Sequence, residues 1–289
     1  MSDGYTFKGG LPKFKDNYAT FKVSLRGKHI LHVDLCRPKE FNSTDLAYYD
    51  DFVHFFTAAS YERDVRCIVV TAQGKHFCSG LDLTEAAPTL LTFDEEQDVA
   101  RKALVLEERI KHMQNAYVAI ERCRWPVLVA ISGACIGAGV DMITSCDIAY
   151  CTKDSFFSIK EIDIGMVADL GTLQRLPIQA ANWSQMKEYA LTGEKISAEE
   201  ALKLGLVSRI YPDQESLMTH VWKTADLIAS KSPIALAGVK HTLNNTRNRW
   251  IEKGLEDIRR TNMSQLFAND VTDAATASLT KKAAKFQKL

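Results

Sequence analysis

The chain has 289 residues, enough for one large core, and its 36 basic residues balance 36 acidic ones, so no global field favours nucleic acid or an anionic membrane. Its apolar runs are no longer than short strands, which excludes a helical membrane span of about 20 apolar residues. The seven cysteines are odd in number, form no CxxC pair and mostly sit in apolar runs, so they read as reduced core residues of an intracellular protein.

The first residues, Met1 to Lys8, lack an apolar segment and carry an early acid, which argues against a secretory signal and against a mitochondrial presequence. Two alternating segments follow, Thr20 to Leu25 and His29 to Leu35, joined by Arg26-Gly27-Lys28 as a hairpin. Ser43-Thr44-Asp45 then caps an amphipathic helix through about Ala59, and Val65 to Thr71 reads as a strand buried on both faces. A long helix is expected from about Glu95 to Arg122, ended by Trp125-Pro126, with a second buried strand over Val127 to Ile131.

Gly133, Gly137 and Gly139 turn the chain into the next helix, and after Asp147 to Cys151 the strands become short and the glycines frequent as far as Pro177. From Asn182 the pattern is almost wholly helical, with a capping box at Ser197 to Glu200 and one late strand over Leu206 to Ile210. No low-complexity linker interrupts the chain. The expected division is a core over residues 1–211 that bears the site and a helical region over 212–289 packed on it.

Asp141, Glu161 and Asp169 each interrupt an apolar, glycine-punctuated segment that otherwise reads as core. A carboxylate buried without a partner costs several kcal/mol, or its pKa rises until it holds a proton near neutral pH, which is the poise of a general acid or base. Two glycine-bearing turns accompany them, Phe77 to Leu83 and Ile136 to Gly139, each after a buried strand. Glycine lets a ligand approach the main chain, and the first N–H groups of a helix lack internal partners. Two such corners side by side can hold a carbonyl oxygen as it becomes negative.

Singly, each feature also has a bland explanation. Asp141 could offset its own helix dipole, Glu161 could pair with Lys160 or Arg175, and Asp169 could cap a helix begun at Gly171-Thr172. Asp163 alternates with Glu161 on a strand-like segment and would share its face. Arg37-Pro38-Lys39 could touch phosphates but reads as a solvated turn, and His76 reads as structural, without the spacing of a metal ligand.

The turns and the carboxylate spacing, together with Gly171 to Pro177, resemble the crotonase (enoyl-CoA hydratase/isomerase) superfamily over nearly the whole chain. The pattern of the Δ3,5-Δ2,4-dienoyl-CoA isomerase family matches best: Gly-x-Asp-Leu, Cys-Ile-Gly-x-Gly-Val-Asp, Cys-Asp-Ile-x-Tyr-Cys, Lys-Glu-x-Asp-x-Gly and Ala-Asp-x-Gly-Thr-Leu-Gln-Arg-Leu-Pro begin here at Gly80, Cys135, Cys146, Lys160 and Ala168. The resemblance implies an α/β fold, the crotonase-like spiral of β-β-α units, with C-terminal helices forming the trimer contacts of a hexamer. It implies an acyl-CoA thioester substrate, with CoA as part of the substrate and no separate cofactor or metal.

By the same resemblance the backbone N–H groups of Leu81 and Ala138 form the oxyanion hole, and Ser79, Gly80, Leu81, Asp82 and Leu83 lie along the acyl-CoA. The family commonly has glycine where this chain has Ala138, which is tolerable at negative φ because only a main-chain donor is needed.

Counting carboxylates separates the activities. Resembling hydratases carry Glu at the positions of Asp141 and Glu161, whereas here the first is the shorter Asp. Moving a 3,5-diene into 2,4 conjugation removes a proton at C2 and adds one at C6, which calls for two carboxylates. Glu161 is assigned to C2 and Asp169 to C6, the reverse order being the alternative, and Asp141 to polarising or positioning them. The alternatives are an enoyl-CoA hydratase, a Δ3-Δ2-enoyl-CoA isomerase, or a non-catalytic acyl-CoA- or RNA-binding relative. The terminal Gln287-Lys288-Leu289 is close to a Ser-Lys-Leu peroxisomal address, the other readings being a frayed basic tail on Lys281, Lys282 and Lys285 and a mitochondrial setting.

Overall fold

The computed structural model describes residues 14–282 apart from 16, 85, 87–89 and 95–96, so the terminal tripeptide lies outside the described residues. The opening hairpin is β1 (Phe21–Arg26) antiparallel to β2 (Ile30–Leu35), followed by α1 (Leu46–Tyr61) and β3 (Cys67–Ala72). The side chain of Asp45 accepts from the Tyr48 N–H at 2.8 Å, so the expected cap is made by the last residue of the Ser-Thr-Asp run. The long helix α2 (Val99–Arg122) starts at the Asp98 cap, whose side chain accepts from the Arg101 N–H at 2.9 Å, and the expected start at Glu95 lies outside the described residues.

Then come β4 (Val127–Ile131), β5 (Ala134–Ile136), α3 (Ala138–Ser145), β6 (Ile148–Thr152), β7 (Phe156–Ser158) and α4 (Thr172–Gln179). The chain continues through α5 (Trp183–Thr192), β8 (Ile196–Ser197), α6 (Ala198–Leu204), β9 (Arg209–Tyr211), α7 (Gln214–Ala229), α8 (Pro233–Gln265) and α9 (Asn269–Thr280). The late strand begins three residues beyond its expected start at Leu206, since Leu206 and Val207 are buried in the main core first.

One sheet has the order β1-β2-β3-β4-β6-β9, parallel from β2 onward, and a smaller one the order β5-β7-β8. The apolar runs of β3 and β4 show no alternation because both faces are covered. Ile68, Val70, Val127 and Val129 enter one core with Phe52 and Phe56 of α1 and Ile110 and Tyr117 of α2. Their neighbours Cys67, Val69, Leu128 and Ala130 face the other way, against Leu217, Val221 and Ala225 of α7.

The C-terminal helices pack on this body. The Lys240 ammonium of α8 donates to the Ile120 and Trp125 carbonyls at 3.2 and 3.0 Å and pairs with Asp147 at 2.7 Å, and Asn244 donates to the Glu121 carbonyl at 2.9 Å. The Asp270 carbonyl of α9 approaches Gly165 so closely that a Cβ there would sit 2.9 Å from it. All seven cysteines are free, and all but Cys36 are buried. No described helix is long and apolar enough to cross a membrane.

Candidate active site

Phe77 to Asp82 runs as an extended ribbon between two neighbours. The Cys78 N–H donates to the Ala134 carbonyl at 3.1 Å and the Cys78 carbonyl accepts from Ile136 at 2.9 Å. Further along, the Gly80 carbonyl accepts from Thr44 at 2.8 Å and the Asp82 N–H donates to the Thr44 carbonyl at 2.9 Å. Because alternate residues of an extended chain bond to opposite sides, Leu81 turns its N–H away from Thr44. Gly137 caps α3, and Ala138 supplies the first N–H of that helix.

Among the described residues neither the Leu81 nor the Ala138 N–H has a protein acceptor. Gly80 has φ +92°, and a Cβ there would stand 3.2 Å from the Ile136 carbonyl oxygen and 3.8 Å from the Ala138 nitrogen. The two donors thus flank one bare corner, at the dipole's positive end. Ala138 is not among the residues of positive φ, so its methyl is accommodated as expected.

An apolar cavity opens on this corner. Ser79, Gly80, Leu81 and Leu83 form its rim with Ala138, Leu106, Ile110 and Met113 of α2 line its depth, and Leu266 follows α8 onto the wall. Among the described residues Glu161 and Asp169 are the two carboxylates on it. Glu161 stands on one 3-10 turn, Lys160–Ile164, rather than on a strand, and its Oε1 lies 3.2 Å from where a Cβ of Gly137 would be, at the oxyanion corner. The 3-10 turn also corrects the expectation for Asp163, which pairs with Lys160 away from Glu161.

Asp169 lies between β7 and α4, held from two helices. The Gln114 amide of α2 donates to its main-chain carbonyl at 2.7 Å, and the Asn262 amide of α8 to its Oδ2, also at 2.7 Å.

Asp141 is fully buried in the first turn of α3 and does not line the cavity. Its Oδ1 accepts from the Thr172 N–H at 2.6 Å and the Thr172 hydroxyl at 2.7 Å, so Asp141, not Asp169, caps α4. Arg175 pairs with Glu121 at 2.9 Å instead of Glu161, and it donates to the Leu170 carbonyl at 3.0 Å. A Cβ on Gly171, at φ +133°, would fall 1.5 Å from that guanidinium, so only glycine fits.

Burial pushes the Glu161 carboxyl up to about 8, helped by the charges of Asp141 and Asp169, and leaves its Oε2 without a partner. Burial likewise lifts Asp169 to about 7 against the Asn262 hydrogen bond, with Asp141 adding to the rise. Asp141 rises to about 6, again by burial, opposed by its Thr172 bonds and by Arg175. Near neutral pH an ionised Asp141 therefore keeps a proton on the other two, which is the arrangement for one base and one acid. Asp141→Asn preserves the shape of the cap but removes that charge, so the carboxyl values of Glu161 and Asp169 fall. The pH profile of kcat/KM should move to lower pH by about one unit, and a profile that stays in place would deny Asp141 this role.

Asp82 does not line the cavity. Its carboxylate accepts from the Ser43 hydroxyl at 3.1 Å and the Thr84 N–H at 3.0 Å and stands 3.8 Å from Arg37, which pairs with Asp45 at 2.6 Å. Arg37 is thus taken up by the fold, and so is His76, whose Nδ1 accepts from the Ala134 N–H at 3.2 Å. Among the described residues no group of three His, Cys, Asp or Glu could hold a metal ion.

Sequence reasoning missed Asn262, Gln114 and the apolar wall from α2. Leu106, Ile110 and Met113 recur at helical spacing and read as ordinary core, and Asn262 falls in a polar run without contrast.

The enoyl-CoA hydratase/isomerase family matches residues 26–288. A mitochondrial Δ3,5-Δ2,4-dienoyl-CoA isomerase of Rattus norvegicus is 41% identical over 269 residues, 93% of this chain and 82% of the relative. A peroxisomal one of Arabidopsis thaliana is 39% identical over 276 residues, 95% of this chain and 99% of the relative. The crystal structure of an enoyl-CoA hydratase/isomerase from Pseudoalteromonas atlantica T6c superposes with a TM-score of 0.80 at 22% identity, over 93% of this chain and all of that one, and shows the same fold. The chain therefore belongs to the enoyl-CoA hydratase/isomerase family and, within it, groups with the Δ3,5-Δ2,4-dienoyl-CoA isomerases.

Proposed function

We propose that the protein is a Δ3,5-Δ2,4-dienoyl-CoA isomerase of fatty acid β-oxidation. The observation that carries this reading is the pair of proton-holding carboxylates on one apolar cavity, Glu161 beside the oxyanion corner and Asp169 on the wall shared with α8. The thioester carbonyl accepts from the Leu81 and Ala138 N–H groups, which makes the C2 proton removable by stabilising the dienolate oxygen. Glu161 takes that proton, the electron pairs move from C2 toward C6, and Asp169 delivers its proton to C6. One proton has left carbon and one has returned, so the diene passes from 3,5 to 2,4 with no change in composition. The CoA belongs to the substrate, and the cycle uses no further cofactor.

The apolar side chains Val239 and Leu243 of α8 are 59% and 66% exposed and line a groove with Pro126 and Ile148. A second copy of the chain covering that groove, as part of a trimer or hexamer built on the region 212–289, accounts for the exposure. The balanced charge gives no global field that favours nucleic acid. The relatives work in the mitochondrion and in the peroxisome. The terminal Gln287-Lys288-Leu289 inclines the reading to the peroxisome, and a fluorescent protein fused ahead of that tripeptide reports it.

Incubating the purified protein with a 3,5-dienoyl-CoA should give the absorbance of the conjugated 2,4-product. Addition of water to a 2-enoyl-CoA should be slower by about a hundredfold or more, because Asp141, at the position where resembling hydratases carry their other Glu, is buried as a helix cap and does not line the cavity. Hydration as fast as isomerisation would replace this reading with that of a hydratase.

A further inference from the structure

We infer that Asn262, brought to the active site by α8, is the positioning residue for Asp169: its amide holds Oδ2, so that Oδ1 is the oxygen that exchanges a proton with the substrate. The inference rests on the assignment of Asp169 to proton transfer at C6.

The geometry admits one orientation of the amide. Its nitrogen donates to Asp169 Oδ2 at 2.7 Å and to the Val167 carbonyl at 3.0 Å, which uses both of its hydrogens on two acceptors. Reversing the amide would set its oxygen against a carbonyl and a carboxylate. The Asn262 side chain is 1% exposed, and its own Oδ1 is buried without a partner. An orphaned buried acceptor destabilises a fold, whereas an apolar side chain of similar shape would leave no such atom. The orphaned oxygen adds nothing to the packing of α8, so what the asparagine supplies is its two donors, one to the Val167 carbonyl and the shorter one to the Asp169 carboxylate.

The bond also decides where a proton can sit. When Asp169 is neutral, a hydrogen on Oδ2 would point at the hydrogens of the amide, so the proton resides on Oδ1. Asp169 lines the cavity, and Oδ1 is not among the buried atoms without partners. Sequestering one oxygen therefore leaves the other to the substrate. The same donor favours the ionised carboxylate and opposes the burial around it.

The other charged groups around Asp169 act differently. Asp141 of α3 and Glu161 of the 3-10 turn both face it and are both acidic. The Arg259 and Glu107 pair of α8 and α2 reaches only Gln114, which holds the main chain of Asp169 and not its carboxylate. Arg175 is committed to Glu121. Asn262 is thus the one side chain among the described residues that donates to the Asp169 carboxylate.

Two variants test this. Asn262→Leu removes the donor, and Asn262→Asp keeps the shape while replacing the amide nitrogen by an acceptor. With a 3,5-dienoyl-CoA, each should lower kcat by about tenfold or more with KM within about twofold, since a misaimed transfer group loses rate and not affinity. Each should also move the kcat pH profile to higher pH by about one unit, because Asp169 loses a bond to its ionised form. In heavy water both should still exchange the C2 hydrogen of the substrate, because Glu161 and the oxyanion corner are untouched.

A purely structural Asn262 would change melting temperature and leave the profile where it was, and a kcat loss without the shift overturns the inference. If Asn262→Leu does not fold, Asn262→Asp decides alone. Failure here is separable from failure of the isomerase reading. Wild-type protein inactive on dienoyl-CoA overturns both, whereas inactivity of Asp169→Asn beside a wild-type profile for Asn262→Asp overturns only the role of Asn262.

Discussion

Asp169→Asn should lower the turnover of a 3,5-dienoyl-CoA by at least about a hundredfold, the usual scale for losing a general acid or base, with little change in substrate affinity. The substitution preserves shape, and its carbonyl oxygen can still accept from the Asn262 amide, so the cavity wall stays as it is. What disappears is a proton that burial keeps on the carboxyl up to about pH 7. The dienolate would form at the oxyanion corner and find no donor at its far end. Steady-state kinetics with the absorbance of the conjugated product is the measurement. Near-normal isomerisation by this variant would end the two-carboxylate mechanism, and a raised KM with unchanged kcat would make Asp169 a binding residue.

The parts of the fold that were legible in the sequence are those where one physical requirement dominates. β3 and β4 announced themselves because strands covered on both faces carry apolar residues throughout, and the glycine corners because two such turns, each more often only a tight turn, follow buried strands near three acids in apolar segments. Asp141, Glu161 and Asp169 stood out because acids in apolar surroundings are expensive.

The rest turned on contacts that no local pattern encodes. Period-two reading made a strand of the Glu161 segment, but Gly165 at φ +73° lets its N–H return to the Ile162 carbonyl at 3.2 Å and close a 3-10 turn. Proximity in sequence suggested Asp169 as the cap of α4, yet the cap is Asp141, brought from thirty-one positions away by the packing of α3 on α4. The carboxylate nearer in sequence is thereby freed for the cavity. Asn262 was invisible for the opposite reason, since an asparagine between Thr261 and Met263 in a helix rich in polar residues has nothing to set it apart until α8 is laid on Asp169.

Glu161→Gln should abolish exchange of the C2 hydrogen with solvent, and this separates the roles of the two carboxylates. Glu161 is the carboxylate beside the proposed oxyanion corner, where C2 of a thioester held there would lie, so the proton removal is proposed for it. Burial raises both carboxyls, so the free pair keeps a proton near neutral pH, and Glu161 must be its ionised member for this order of transfer to hold. Reaction in heavy water should therefore put solvent deuterium at C6 in the wild type, since the hydrogen taken from C2 and the one given to C6 sit on different residues. Asp169→Asn should keep C2 exchange while blocking product, and Glu161→Gln should lose both, as read by mass and NMR analysis of recovered substrate. If Asp169→Asn loses C2 exchange and Glu161→Gln keeps it, the two roles are exchanged. Substantial transfer of the substrate's own C2 hydrogen to C6 would instead mean that a single carboxylate carries the proton along the whole diene.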